Sequence, residues 1–309
     1  MTSVLSEERF HNEQAAYDFV EARLWPMGPV CPHCQAGNDR VGKLEGKTTR
    51  LGLYKCYACR KPFTVKIGTI FESSHAPLRY WLQAIYLICS SKKGISTRQL
   101  QRTLGVGMKT AWFMGMRIRE AMTQYNPPPM GGNGEIVEID ETFIGRKAGR
   151  KKGVGFDHKH VVLSLVTRGG KARSFHVGGV SAAEILPYVY KNVLQATHVM
   201  TDEAHRYSRL GEIYASHASV NHSKEEYARG HVTTNTVEGF FSIFKRGMKG
   251  VYQHCSEEHL QRYLSEFDFR YSNRIKLGID DVERADRALL GAKGKRLTYA
   301  TSHNKEAKV

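Results

Sequence analysis

Two CxxC pairs, Cys31-Pro32-His33-Cys34 and Cys56-Tyr57-Ala58-Cys59, are separated by 21 residues and constrain the fold of this chain more than any other feature. Each pair makes a tight knuckle that aims two thiolates at one point, and two knuckles complete a tetrahedral Zn²⁺ shell. The gap is one residue past the usual span for this pattern. Short strands are expected near 52–55 and 63–65, so residues 26–70 read as a zinc ribbon. Four thiolates leave no open coordination position, so this zinc folds the module and does no chemistry. His33 is then a bystander in a full shell. Cys89 and Cys255 are left over, which indicates a reduced compartment and not a disulfide framework.

Lys and Arg number 46 against 30 Asp and Glu, a net charge of +16. A basic excess of this size points to a polyanion, most often nucleic acid. A membrane surface is the competing partner, and the sequence argues against it. It holds no 18-residue apolar run and no signal-peptide core. A soluble cytoplasmic protein with room for two or three domains is expected.

Residues 1–25 carry a helix, over 7–24, whose function is not readable. Residues 71–125 read as helices. Pro77 begins the first, and Ser96 with Gln99 is a capping box that opens a second. Gly105-Val106-Gly107 is a turn, and Met108 begins a third helix with Ala111, Met114, Ile118 and Met122 on its apolar side. Helix, glycine turn, helix is the helix-turn-helix pattern, whose second helix enters a DNA major groove. Lys109, Thr110, Arg117 and Arg119 are its expected exposed groups. Three prolines and three glycines then form a linker at 126–134, which cannot continue a helix.

The second domain spans 135–275. Its first strand begins at Ile136 and is expected to end at Asp140. A glycine-rich loop follows with five bases, Arg146, Lys147, Arg150, Lys151 and Lys152, suited to tracking phosphates. Strands at 160–167 and 172–177 form a hairpin through Arg168-Gly169-Gly170-Lys171. A helix at 181–194 leads to a strand at 197–201 that ends at Asp202. Another strand covers 214–220. The helix at 234–250 has two stripes. Val237, Phe240, Phe241, Phe244 and Met248 fall on one; Asn235, Glu238, Ser242, Lys245 and Lys249 fall on its neighbour. An amphipathic helix covers 256–272. Residues 276–309 are a C-terminal helix and a flexible tail, polar and frayed from 291 onward.

Strand, strand, strand, helix, strand, short helix, strand, helix makes an open mixed sheet. Groups at adjacent strand ends converge on one edge of such a sheet. Asp140, Asp202 and Glu238 therefore form one set of carboxylates, the ligands that Mg²⁺ prefers. Glu138, Glu141 and Glu203 are neighbours easily mistaken for members of that set.

On these residues the chain resembles bacterial insertion-sequence transposases of the DDE type with an N-terminal zinc ribbon, the ISXO-two-like or IS-fifteen-ninety-five group. The resemblance rests on the four cysteines, Asp140-Glu141-Thr142, Thr201-Asp202-Glu203, and Thr234-Asn235-Thr236-Val237-Glu238-Gly239-Phe240 followed by Lys245. The 35 residues between Asp202 and Glu238 suit a DDE spacing. The resemblance implies a multidomain chain: zinc ribbon, helix-turn-helix-like region, then an α/β ribonuclease-H-like catalytic domain. It implies that Asp140, Asp202 and Glu238 bind two Mg²⁺, with Asn235, one turn earlier on the same face, at or near the third position. Water would nick the ends of the element, and the freed 3′-OH groups would attack target DNA. Lys245, with Arg246 and Lys249, would hold that DNA. His222 and His231 would lie near it, or are plain surface histidines. Double-stranded DNA is the implied partner, in a homo-oligomeric complex at the nucleoid. The alternatives are a nuclease with this core but no strand transfer, and an inactive-transposase-derived DNA-binding regulator. A zinc ribbon joined to an unrelated domain would leave the carboxylate layout without a reason.

Overall fold

Asn12 opens the first helix. Its side chain accepts the backbone N–H groups of Gln14 and Ala15, which the first turn leaves unpaired. The structure, a computed structural model, describes residues 3–153, 155–221, 226 and 228–298. Helix α1 (Glu13–Leu24) thus starts later than its apolar spacing suggests, after a separate turn at Glu8–Phe10. The described residues fall into two compact units. One takes them from 1–90, 97–122 and 282–309, the other from 91–96 and 123–281.

In the first unit, β1 (Val41–Lys43), β2 (Tyr54–Cys56) and β3 (Pro62–Phe63) form a three-stranded antiparallel ribbon. Trp25, Tyr54 and Phe63 pack as an aromatic cluster on it. Helix α2 (Leu78–Ser90) follows, and Glu13 accepts the N–H groups of Leu78 and Arg79 at its first turn. Helices α3 (Thr97–Leu104) and α4 (Met108–Met122) enclose Gly105, whose φ of +65° is the left-handed turn that glycine allows.

The second unit is built on a mixed sheet of five strands. They are β4 (Ile136–Ile144), β5 (His160–Thr167), β6 (Ala172–Val177), β7 (His198–Thr201) and β8 (Ser216–Ser219), in the order β6-β5-β4-β7-β8. The first three pair antiparallel, and β7 and β8 join in parallel. Helix α5 (Ala182–Asn192) makes the crossover from β6 to β7. A mixed sheet of this order fits a ribonuclease-H-like domain. A two-residue hairpin, β9 (Ala228–Arg229) with β10 (Val232–Thr233), precedes α6 (Asn235–Gly247) and α7 (Glu257–Ser272). Strands this short carry no alternation, so no sequence pattern announces the hairpin.

Alternation assigns the two faces of the sheet. Val137, Ile139, Val161, Leu163, Leu165 and Val177 pack with Ile185 and Val189 of α5. Glu138, Asp140, His160, Ser164, Ser174 and His176 take the opposite face, along which α6 and α7 run. The apolar stripe of α6 seals that side: Val237, Phe240, Phe241 and Phe244 are buried, and Phe244 meets Phe267 of α7 edge to face at 5.2 Å. Gly247 is obligatory there, because a Cβ would lie 2.4 Å from the Phe267 ring and 2.8 Å from the Lys93 carbonyl.

The chain then returns to the first unit with α8 (Asp281–Leu290). Residues 291–298 are not frayed. Gly294 donates its N–H to the Gly68 carbonyl, and Lys295 reaches the Ala121 carbonyl at 2.8 Å. This segment corrects the reading of α4. Arg117 and Arg119, expected on an exposed helix face, are 4% and 3% exposed. The Arg117 guanidinium donates to the carbonyls of Ile70, Glu72 and Leu297, acceptors that no local pattern reveals. Lys109 and Thr110, at the start of α4, are exposed as expected.

Candidate active site

Strand β4 does not end at Asp140 but runs on to Ile144, because Asp140 through Ile144 keep pairing with β5. The strand end exists only on the other side, where the last pair between β4 and β7 is Glu138 with Met200. Two residues beyond that pair, Asp140 and Asp202 leave the parallel ladder next to each other. Thr201 closes β7, and Asp202 turns the chain by accepting the Ala204 N–H at 3.1 Å.

Helix α6 brings Glu238 to this edge, and its placement depends on Glu138. The Glu138 side chain, 0% exposed, accepts the N–H groups of Thr236 and Val237 at 2.7 and 3.0 Å. It also accepts the Thr236 hydroxyl and the Nε of Arg168. A carboxylate at the positive end of a helix satisfies donors that the first turn cannot. Arg168 extends the clamp to the carbonyls of His231 and Thr233. Glu138 is therefore occupied as an anchor for α6. Glu141 is occupied too, by Arg206 at 2.7 Å and by the Tyr207 hydroxyl. Glu203 is exposed.

Asp140 differs from both. Burial, then the charges of Glu141, Asp202 and Glu238, push its carboxyl up to about 8, against the opposing hydrogen bond from the Glu141 N–H. Asp202 and Glu238 thus each stand within electrostatic range of Asp140. Asp202 is partly buried, while Glu238 and Asn235 are exposed. The Glu238 carboxylate accepts the Thr234 hydroxyl at 2.8 Å.

Lys245 lies two turns along α6. Burial lowers its pKa, the Asp140 charge raises it, and Lys249 and Lys159 lower it again. Lys159 was not singled out in the sequence, since it stands just outside a strand with no motif around it. Lys249 is exposed in the wide turn Met248–Tyr252 that follows α6, and Arg246 is tied back to Ser242. In the basic loop Arg146, Arg150, Lys151 and Lys152 are exposed, and Lys147 donates to the Gly178 carbonyl. His231 is exposed, and His222 lies outside the described residues.

Cys31, Cys34, Cys56 and Cys59 are gathered with all four sulfurs within 4.8 Å of one another. The Cys31–Cys59 and Cys34–Cys56 sulfurs are 3.6 Å apart. Sulfurs at about 2.3 Å around a tetrahedral ion sit about 3.8 Å from each other, so the set fits structural Zn²⁺. The Cys59 N–H points at the Cys56 sulfur. Among the described helices none is long and apolar enough to cross a membrane.

Comparison with known proteins returns two family matches. Residues 132–272 match the ISXO2-like transposase domain, and residues 11–62 match the transposase zinc-ribbon domain. The chain is also 28% identical over 280 residues to an uncharacterized protein in transposable element ISH50 of Halobacterium salinarum, covering 84% of this chain and 91% of the relative.

Proposed function

We propose that the chain is the DNA transposase of an insertion sequence, since residues 132–272 match the ISXO2-like transposase domain and residues 11–62, ahead of it, match the transposase zinc ribbon. It binds the terminal inverted repeats, hydrolyses the phosphodiester at each end, and joins the freed 3′-OH groups to target DNA. One observation carries this reading. Asp140, Asp202 and Glu238 meet where the parallel ladder ends, and burial, then the charges of Glu141, Asp202 and Glu238, raise the Asp140 carboxyl to about 8.

Such an excess of carboxylate charge, with Arg206 committed to Glu141 and Arg168 to Glu138, suits divalent cations. The donors are oxygens, the set that Mg²⁺ prefers. Asp140, Asp202 and Glu238 would hold two such ions, and Asn235 is placed to orient a ligand or the substrate beside Glu238. Bound there, Mg²⁺ supplies activation of the attacking oxygen and stabilisation of the leaving one. The rest is done by side chains. Lys245, half-buried and short of solvent, gains by pairing with a phosphate near Asp140. Lys249, Arg246 and the five loop bases extend the track along the backbone. Lys109 at the N-terminal end of α4 stands where a recognition helix meets base edges. Two ends must reach one target, so the working complex is a homo-oligomer, at the nucleoid.

The test is a joining assay with Mg²⁺, a labelled repeat end and an unlabelled second duplex. Label transferred to the second duplex is the expected result. Cleavage without transfer would replace this reading with a nuclease, and binding without either would leave a regulator.

A further inference from the structure

A second group of metal-binding side chains lies outside the carboxylate edge. His160 begins β5, His176 is near the end of β6, and Glu257 is in the first turn of α7. Val162 pairs with His176, so His160, two residues before Val162, is the diagonal neighbour of His176 on the same face. The rings meet edge to face with centroids 5.2 Å apart. The His176 Nε2 is 3.9 Å from the Glu257 carboxylate. One ligand atom from each residue lies within 4.8 Å of the other two.

Two facts separate this group from a chance surface cluster. His160 is 4% exposed, and its Nδ1 is buried with no hydrogen-bond partner. Buried polar nitrogens almost always have a partner, so an orphan beside two other ligands marks an absent one. The backbone is also fixed: the His176 N–H donates to Gln261 of α7, and Gln261 donates to the Ser174 carbonyl. Hairpin and helix are thus held in register before any ion arrives.

We propose that His160, His176 and Glu257 form a site for a borderline divalent transition ion, Zn²⁺ being the reference case. Two imidazoles and one carboxylate are a zinc donor set that leaves a fourth position open. Nitrogen ligands disfavour Mg²⁺, so the site is chemically distinct from the three carboxylates. Nitrogen and oxygen ligands at about 2.0–2.1 Å sit about 3.3 Å apart around a tetrahedral ion. Small side-chain rotations close the present spacing to that. The bound ion pins the β5–β6 hairpin to the start of α7 and presents an exchangeable water at the surface.

The full-length protein, with its ribbon loaded with zinc, is titrated with Co²⁺ in excess Mg²⁺ and followed by absorption. One further equivalent is expected, with the weak d–d bands of a nitrogen and oxygen site and no thiolate charge transfer. Asp202→Ala should leave that equivalent intact, which separates it from the carboxylate edge. His176→Asn should abolish it. Glu257→Gln, at an exposed position where folding is not at risk, should weaken it by at least tenfold. Uptake of no ion beyond the ribbon's, or binding unchanged in Glu257→Gln and His176→Asn, would overturn the proposal.

Discussion

The four cysteines and the three carboxylates proposed to hold Mg²⁺ are assembled in opposite ways. The cysteines come from two knuckles close in sequence, and their sulfurs already stand at metal-bound spacing. Asp140, Asp202 and Glu238 come from a strand, a strand end and a helix. They are not among the groups whose ligand atoms all lie within 4.8 Å, among the described residues. What holds them is protein: the Glu138 clamp under α6, the Arg206 partner of Glu141, and the Asp202 turn. The ribbon uses a metal to make its fold. The carboxylate edge, on the function proposed above, uses its fold to prepare for a metal.

Removing the metals breaks the comparison most severely. Chelating zinc, or Cys56→Ser, should unfold the ribbon, since structural zinc contributes about 10–16 kcal/mol in isolated fingers. Hydrogen exchange should show loss of amide protection across β1–β3 but not in β4 and β5, and withdrawing Mg²⁺ should unprotect neither. Persistent protection in a zinc-free ribbon would contradict the contrast.

The next effect in size is at Glu138. Its replacement by Ala leaves Arg168 and two helix N–H groups without their acceptor, and should destabilise the protein by about 3–5 kcal/mol in urea unfolding. A loss near zero would mean that α6 is held by its apolar stripe alone.

A third effect tests a buried acid that no motif announced. Asp268 of α7 accepts the N–H and hydroxyl of Ser174, yet burial pushes it up to about 7. Its folded pKa lies above its unfolded one, so the folded state holds the extra proton between about pH 4 and 7. Stability should therefore fall as pH rises through that window, by at most about 4 kcal/mol, and level off above it. Asp268→Asn should flatten the slope, which equilibrium unfolding at several pH values would measure.

Legibility followed the range of the interactions. The ribbon could be read from cysteine spacing, and β5 and β6 from β-like runs joined by the Gly169-Gly170 hairpin signal. The two stripes of α6 could be read from period alone, because a helix fixes which residues share a face. Arg117 defeats a local reading because its surroundings are set by carbonyls and a tail far away in sequence. Asp140 was placed at a strand end that exists on only one side of β4, a distinction that pairing partners make and alternation does not. Glu138 and Asp140 share a strand face, and nothing local says that one anchors a helix while the other carries unbalanced charge.

The most direct test of the proposed carboxylate site is Mg²⁺-dependent cleavage of a terminal-repeat duplex by Asp202→Ala, with binding to the same duplex measured alongside. The account predicts cleavage abolished and binding retained. Cleavage that survives in Asp202→Ala would contradict it.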